Sequence, residues 1–395
     1  MFLVIFVSIL ALDGLFWWWA DRRARRLPRP TAWRVGVAIF VGLQLGVLGG
    51  MILLPGLRHA AHHYVPSWVL GLMYLWHLLM LPAWAVAAGG WAVARLTAAG
   101  ARRVFRPKTR VEAVAHDAPA WSRRQVLAAA AVSAPPLLTV GMTGLGLSRL
   151  TELRIRELDV AIPGLPPALD GLRIAHVTDV HVGRYTRGAQ LRRIAEATNR
   201  LEADLVLMTG DLLDQSILDL PEALDFVRMI DPRSGLAMCE GNHDLIDDGV
   251  AFRERTKAAG VPLLVQEVRT LQVRGEPVQL LGLGWTRRED LIRQTVLDIA
   301  TLREPEAFPI LLAHHPHAFD HAAEAGLPLT LAGHTHGGQL MLNERLGAGP
   351  AMFRYWTGLY EQAASRLVVS NGAGNWFPLR TAAPAEIIHL RLRRA

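Results

Sequence analysis

Four apolar stretches, Phe2–Ala20, Val35–Leu54, Trp68–Trp91 and Val126–Leu147, fill most of the first 150 residues of this 395-residue chain. A bilayer core of about 30 Å is crossed by roughly 20 helical residues, and each stretch meets that length. In lipid the backbone must bond to itself, so segments of this kind fold as helices. Indole rings mark the boundaries: Trp17, Trp18 and Trp19 close the first stretch, Trp33 precedes the second and Trp68 opens the third. That is where aromatic rings settle at headgroup level. Asp13 and His77 interrupt the apolar runs. Asp13 is expected to pack against a neighbouring span rather than serve as a proton relay.

Charge divides at residue 150. Residues 1–150 hold 16 Lys+Arg against 4 Asp+Glu, a net +12, and the remainder holds 26 against 31, a net −5. The basic excess therefore belongs to the apolar part and reads as membrane topology, while the acidic balance of the rest argues against a nucleic-acid partner. Arg22, Arg23, Arg25, Arg26, Arg29 and Arg34 follow the first span; Arg102, Arg103, Arg106, Lys108 and Arg110 follow the third; Arg58 alone follows the second. By the positive-inside rule the first and third loops are cytoplasmic, so the fourth span delivers the rest of the chain outside. Ser122-Arg-Arg-Gln-Val-Leu127, ahead of an Ala-rich stretch with Pro135 and Pro136, resembles a twin-arginine export signal, which implies the export machinery as a partner. The alternative is that Arg123 and Arg124 are two more inside anchors. His59, His62 and His63 have one-face helical spacing, but no carboxylate or cysteine stands beside them to complete a metal site. Cys239 is the only cysteine, which excludes a disulfide framework and a cysteine zinc site.

From Gly171 onward short apolar runs alternate with amphipathic segments, the pattern of βαβ architecture. Strands are expected at Arg173–Thr178, Asp204–Thr209, Leu236–Cys239, Val278–Leu283, Ile310–Ala313, Leu329–Ala332, Leu367–Ser370 and Glu386–Leu392, and helices at Gln190–Leu201, Leu220–Met229 and Ala251–Ala259. The organisation expected is a membrane module over 1–150, a linker and entry segment over 151–170 with its turn-rich Pro163–Pro167, and an α/β domain over 171–395.

Five motifs follow these strands, where open α/β sheets place their sites: Asp179-Val-His181, Gly210-Asp211-Leu-Leu-Asp214, Gly241-Asn242-His243-Asp244, His314-His315-Pro316 and Gly333-His334-Thr335-His336-Gly337-Gly338. Each alone is common; five in this order are not. Mixed carboxylate and imidazole donors suit Mn, Fe or Zn, whereas an all-oxygen set would suit Mg or Ca. In extended backbone, residues two apart point to one face, so a DxH pair can meet one ion. Asp214 reads as a structural hydrogen-bond partner, His176, His315 and His317 as ordinary strand or loop residues, and Arg184 and Tyr185 as a solvated loop.

Together with the tail Ser370-Asn-Gly-Ala-Gly374, Pro378-Leu-Arg380 and Pro384-Ala-Glu-Ile-Ile388, these motifs resemble the calcineurin-like metallophosphoesterases over nearly all of residues 171–395. The tail resembles the membrane-anchored bacterial branch of that superfamily. The resemblance implies a four-layer α/β sandwich of two mixed β-sheets flanked by helices, here preceded by an all-α transmembrane module with more spans than the single anchor of many relatives. It also implies two divalent metal ions. Asp179, His181 and His336 would hold one, Asp211 would bridge, and Asn242, His314 and His334 would complete the second. His243 would be the catalytic histidine, oriented by Asp244.

The activity implied is hydrolysis of a phosphomonoester, phosphodiester or pyrophosphate, small-molecule or lipid-linked, such as an envelope lipid or cell-wall precursor. The location implied is the bacterial inner membrane, with the catalytic domain extracytoplasmic. A metallo-β-lactamase-type hydrolase is excluded by the missing HxHxDH run. A membrane sensor or transporter whose outer domain only binds a phosphorylated ligand predicts a degenerate site, yet no expected ligand position is missing.

Overall fold

A computed structural model of the chain describes residues 2–53, 65–104, 121–343 and 345–395. His59, His62 and His63, and the loop cations Arg58, Arg106, Lys108 and Arg110, lie outside the described residues. Two compact units result, Met1–Leu147 and Ser148–Ala395.

The first unit is helical: α1 (Phe2–Ala24), α2 (Pro30–Leu53), α3 (Ser67–Leu75), a π-helical turn (Trp76–Met80), α4 (Leu81–Val104) and α5 (Arg123–Ser148). Among the described residues four helices, with α3 through α4 counted as one, are long and apolar enough to cross a membrane. Phe16, Trp76 and Trp84 pack edge to face at the centre, with Val37, Val41 and Leu81 around them. Asp13 does pack against a neighbour. Trp76 Nε1 donates to its Oδ1 (2.8 Å), and His77 Nε2 lies 3.0 Å from Oδ2. The π-turn, which inserts an extra residue, carries both partners. At the start of α5, Gln125 Oε1 accepts from the Ser122 N–H (3.0 Å), and Ser122 Oγ accepts from the Gln125 N–H (3.3 Å). Part of the Ser122–Leu127 signature is thus a reciprocal helix cap.

The second unit holds two mixed sheets. The first has the strand order β1-β11-β2-β3-β4, and the second β5-β6-β7-β8-β10-β9. Their ranges are β1 Leu153–Ile162, β2 Arg173–Val177, β3 Leu205–Thr209, β4 Gly235–Cys239, β5 Glu267–Val273, β6 Glu276–Gly282, β7 Phe308–Leu312, β8 Leu329–Ala332, β9 Gly358–Gln362, β10 Ser365–Val369 and β11 Ala385–Arg394. β3 and β8 are buried at every residue, as central strands covered on both faces must be. Ile174, Leu207, Leu280, Ile310, Leu331 and Ile388 fill the layer between the sheets. Outside the first sheet pack α6 (Ala189–Asn199), α7 (Leu220–Arg228) and α8 (Gly249–Ala258), and outside the second α9 (Glu289–Ala300) and α10 (Ala318–Glu324). In α6, Leu191, Ile194, Ala195 and Thr198 make one buried stripe. The expected four-layer sandwich is present.

The segment 151–170 is not a linker. β1 occupies half of it and pairs in parallel with β11 over ten residues, from Leu153↔Ala385 to Ile162↔Arg394. Its alternation of apolar and charged residues slips by one place at Glu157, which hides the two-residue period. Only Pro163–Pro167 connects, leading from β1 into β2.

Candidate metal centre

The parallel run β2-β3-β4 and the pair β7-β8 deliver five loops to one end of the sandwich. Asp179 stands two residues beyond β2, Asp211 two beyond β3, His314 two beyond β7 and His334 two beyond β8. Five residues there have left-handed backbone: Asp179 (φ 51°), His181 (50°), Asp211 (52°), His334 (72°) and His336 (50°). Outside glycine this conformation costs of the order of ~1 kcal/mol or more per residue and gathers at functional sites. Glycines admit the close approach. A Cβ on Gly241 would lie 2.2 Å from Asp211 Oδ1, and one on Gly333 would lie 2.1 Å from Asp179 Oδ2.

Donor atoms converge in three overlapping groups: Asp179, His181 and His336; His181, Asp211 and His243; Asp211, His314 and His334. Within each, the atoms lie no more than 4.8 Å apart. His336 Nε2 is 3.2 Å from Asp179 Oδ1 and 3.0 Å from His181 Nε2. Asp211 Oδ2 is 3.1 Å from His314 Nε2 and 3.6 Å from His181 Nε2, and His334 Nδ1 is 3.3 Å from His314 Nε2. Asp211 therefore stands between the two imidazole sets. Asn242 Oδ1 is buried without a hydrogen-bond partner among the described residues. Leaving a buried carbonyl oxygen unmatched is costly, so it fits a cation.

The surroundings fix these side chains. The Thr178 hydroxyl donates to Asp179 (2.7 Å), as does the His334 N–H (3.0 Å). His314 Nδ1 is held by the Thr209 carbonyl (2.6 Å). Burial opposes charge throughout, yet neighbouring imidazoles hold Asp179 and Asp211 well below the usual carboxylate range. Against the same burial, Asp211 raises His314 to about 9. Burial dominates at His334 and His336, lowering them to about 2 and about 4. They are thus neutral, the form that ligates a metal.

The structure corrects the partner of His243. Asp244 lies in the 3-10 turn His243–Leu245 and faces inward, accepting the N–H of Leu213 through Oδ1 and of Gly241 through Oδ2, both at 2.9 Å. Burial and the charge of Asp211 raise it to about 7. A side chain adjacent in a tight turn points away from its neighbour's ring, so Asp244 braces the loops. His243 Nδ1 meets instead the Asp214 carbonyl at 2.5 Å, with the Asp214 carboxylate at 3.5 Å. His176 bonds Thr209 within the first sheet, and His315 accepts from the His317 N–H. Arg184 and Tyr185 are half-buried, the guanidinium 5.1 Å from the ring.

Residues 172–338 match the calcineurin-like phosphoesterase family model. The second unit thus carries a calcineurin-like phosphoesterase domain. The chain is 29% identical over 272 residues to a transmembrane protein with metallophosphoesterase domain from Danio rerio, covering 61% of this chain and 58% of that one. It is 32% identical over 259 residues to an uncharacterized metallophosphoesterase of Helicobacter pylori, covering 62% and 65%. It thus spans less than two thirds of the length of either relative. A UDP-2,3-diacylglucosamine pyrophosphatase of Chlamydia trachomatis is 25% identical over 295 residues, covering 60% of this chain and 89% of that one.

Three residues beside the donor cluster carry no assigned role in the sequence analysis. Arg380, wholly buried, donates to the carbonyls of Asn371, Ala383 and Gly374, to Asn375 Oδ1 and to His336 Nδ1 (3.1 Å). Trp285 stands 5.0 Å from the His334 ring and Trp376 5.9 Å from that of His243. Arg380 belongs to the Pro378-Leu-Arg380 motif, but neither tryptophan sits at a recognisable spacing.

Proposed function

We propose that the chain is a membrane-attached dimetal phosphoester hydrolase. The observation that carries this reading is the convergence on Asp211, one carboxylate reached from two sets of buried imidazoles. Asp179, His181 and His336 would hold one divalent ion, Asn242, His314 and His334 a second, and Asp211 both. The nitrogen and oxygen donors suit Mn, Fe or Zn. When bound, such ions supply Lewis-acid polarisation of phosphoryl oxygens and lower the pKa of a water. The chain's own part is to hold the donors rigid and to manage a proton. His243, with Nδ1 committed to the Asp214 carbonyl, keeps Nε2 to protonate or stabilise the leaving oxygen. Trp285 and Trp376 stand beside the cluster, against His334 and His243.

The substrate class in this reading is a phosphomonoester, phosphodiester or pyrophosphate carried by an envelope lipid or cell-wall precursor. Four apolar helices and the lipid-linked substrate named for the chlamydial relative support it. The arginine asymmetry supports a multi-pass inner-membrane protein with the phosphoesterase domain outside, exported with the help of Arg123 and Arg124. The test is a panel of chromogenic phosphomonoester, phosphodiester and pyrophosphate substrates on the full chain, stripped by chelator and resupplied with Mn, Fe, Zn or Mg. Metal-dependent turnover of at least one class is expected. A phosphorylated ligand that binds but is never cleaved, whatever the metal, would favour a sensor or transporter instead.

A further inference from the structure

Six large apolar side chains stand exposed on segments that follow the donor residues, from 54% for Ile246 to 84% for Leu218. Leu218 lies in the loop after Asp214, and Ile246 and Val250 follow His243 by three and seven residues. The Asp247 carboxylate accepts the Ile217 N–H (3.0 Å) and so ties the loop after Asp214 to the turn after His243, and the Ile246 N–H donates to the His243 carbonyl. Leu342, Leu346 and Met352 lie in the segment that follows His336. The Leu342 N–H donates to the Leu346 carbonyl (2.8 Å), α11 (Ala348–Met352) packs on the turn His336–Gly338, and the adjacent Phe353 ring lies 6.1 Å from His334. Large exposed apolar side chains on the connections at one sheet end are the composition of a binding surface.

The path of the chain says what covers them. β1 runs parallel to β11, and β11 antiparallel to β2, so Leu153 begins at the same sheet end to which β2 delivers Asp179. The residues just before it are fastened to the site's own loops. Arg149 Nη1 donates to the Thr381 carbonyl (2.9 Å), and the side-chain amides of Gln190 and Asn375 donate to the Leu150 carbonyl (3.1 and 2.9 Å). Trp376, 38% exposed, follows Asn375. A membrane-length helix ends at Ser148, leaving at most ~17 Å of extended chain before β1. Arg345, Asp247 and Asp248 are all exposed on the rim segments that carry the six apolar side chains, Asp247 bonded to the Ile217 N–H and Asp248 capping α8 through the Ala251 N–H.

We propose that this rim is a bilayer-facing surface, with these six side chains entering the headgroup region of the membrane the chain is anchored in. Resting on the phosphoesterase reading, this makes the substrate a phosphoester borne on a lipid, which reaches the metal cluster along the membrane surface and without leaving it.

Cys239 is buried, so a thiol introduced at an exposed position is the one that reacts. Full-length Ile246→Cys, Leu346→Cys and Leu302→Cys variants would each carry an environment-sensitive fluorophore. They would be reconstituted into phosphatidylcholine–phosphatidylglycerol vesicles containing lipids with a quencher in the acyl chain. Leu302 is exposed but precedes β7, toward the sheet end remote from His314. The proposal expects blue-shifted, quenched fluorescence at 246 and 346 and an unquenched label at 302. Labels at 246 and 346 quenched no more than the label at 302 would overturn it. Hydrolysis plays no part in this readout. A chain that inserts its rim but cleaves nothing overturns the functional reading alone, and one that cleaves soluble phosphoesters with its rim labels unquenched overturns the rim alone.

Discussion

His243 and Asp244 are neighbours in sequence with opposite duties. His243, on the Asp214 carbonyl, is available to substrate. Its replacement by alanine should leave metal content unchanged and lower turnover on the order of 10²–10⁴-fold. The loss should shrink as the leaving group becomes more acidic, and equal losses across a leaving-group series would argue against proton donation. Asp244→Ala strands two buried N–H groups, those of Leu213 and Gly241, at ~1–3 kcal/mol each. A chemical melt should show that destabilisation, and an unchanged melt would contradict the bracing role. The sequence order of the motifs, each at a strand end, made the donor set legible, because residue type and position after a strand are both local properties. The orientation of Asp244 was not legible, since which way a side chain turns depends on amides supplied by another loop. The tryptophans at 285 and 376 were hidden for the same reason: they reach the cluster by tertiary placement alone.

Most strands that sequence reading located are buried ones, such as β3 and β8, whose unbroken apolar runs carry their own signal; β4, at a sheet edge, is an exception. Those it missed, β1, β5 and β9, lie at sheet edges, where half the residues face water and charges interrupt the period. β1 shows what is at stake. Val160 and Ile162 are fully buried between the sheets although their segment reads as a linker. Ile162→Ala should therefore cost ~2–5 kcal/mol in a denaturant titration, as truncating a core isoleucine does. A cost near zero would return the segment to linker status. Gly241 makes the complementary point for loops, where the absence of a Cβ lets the β4 loop close on Asp211.

At the scale of the whole molecule, the apolar helices and the charge asymmetry make the membrane claim without reference to any family. A reporter active only outside the cytoplasm should be active when fused after Leu150 and silent when fused at Lys108. Arg123→Lys with Arg124→Lys keeps both charges but removes the guanidinium pair that a twin-arginine receptor reads. If that route is used, the domain of the double variant stays protected from external protease; if it still reaches the outside, the two arginines are anchors. Two ions shared through Asp211 remain the centre of the account. The most direct measurement titrates Mn into the chelator-stripped full chain while following phosphoester turnover and bound metal together, beside Asp211→Asn. The account predicts activity that rises to a plateau at two ions per chain, with fewer ions bound and turnover lost in the variant. Turnover that survives complete metal removal, or a variant that binds two ions like the parent, would contradict it.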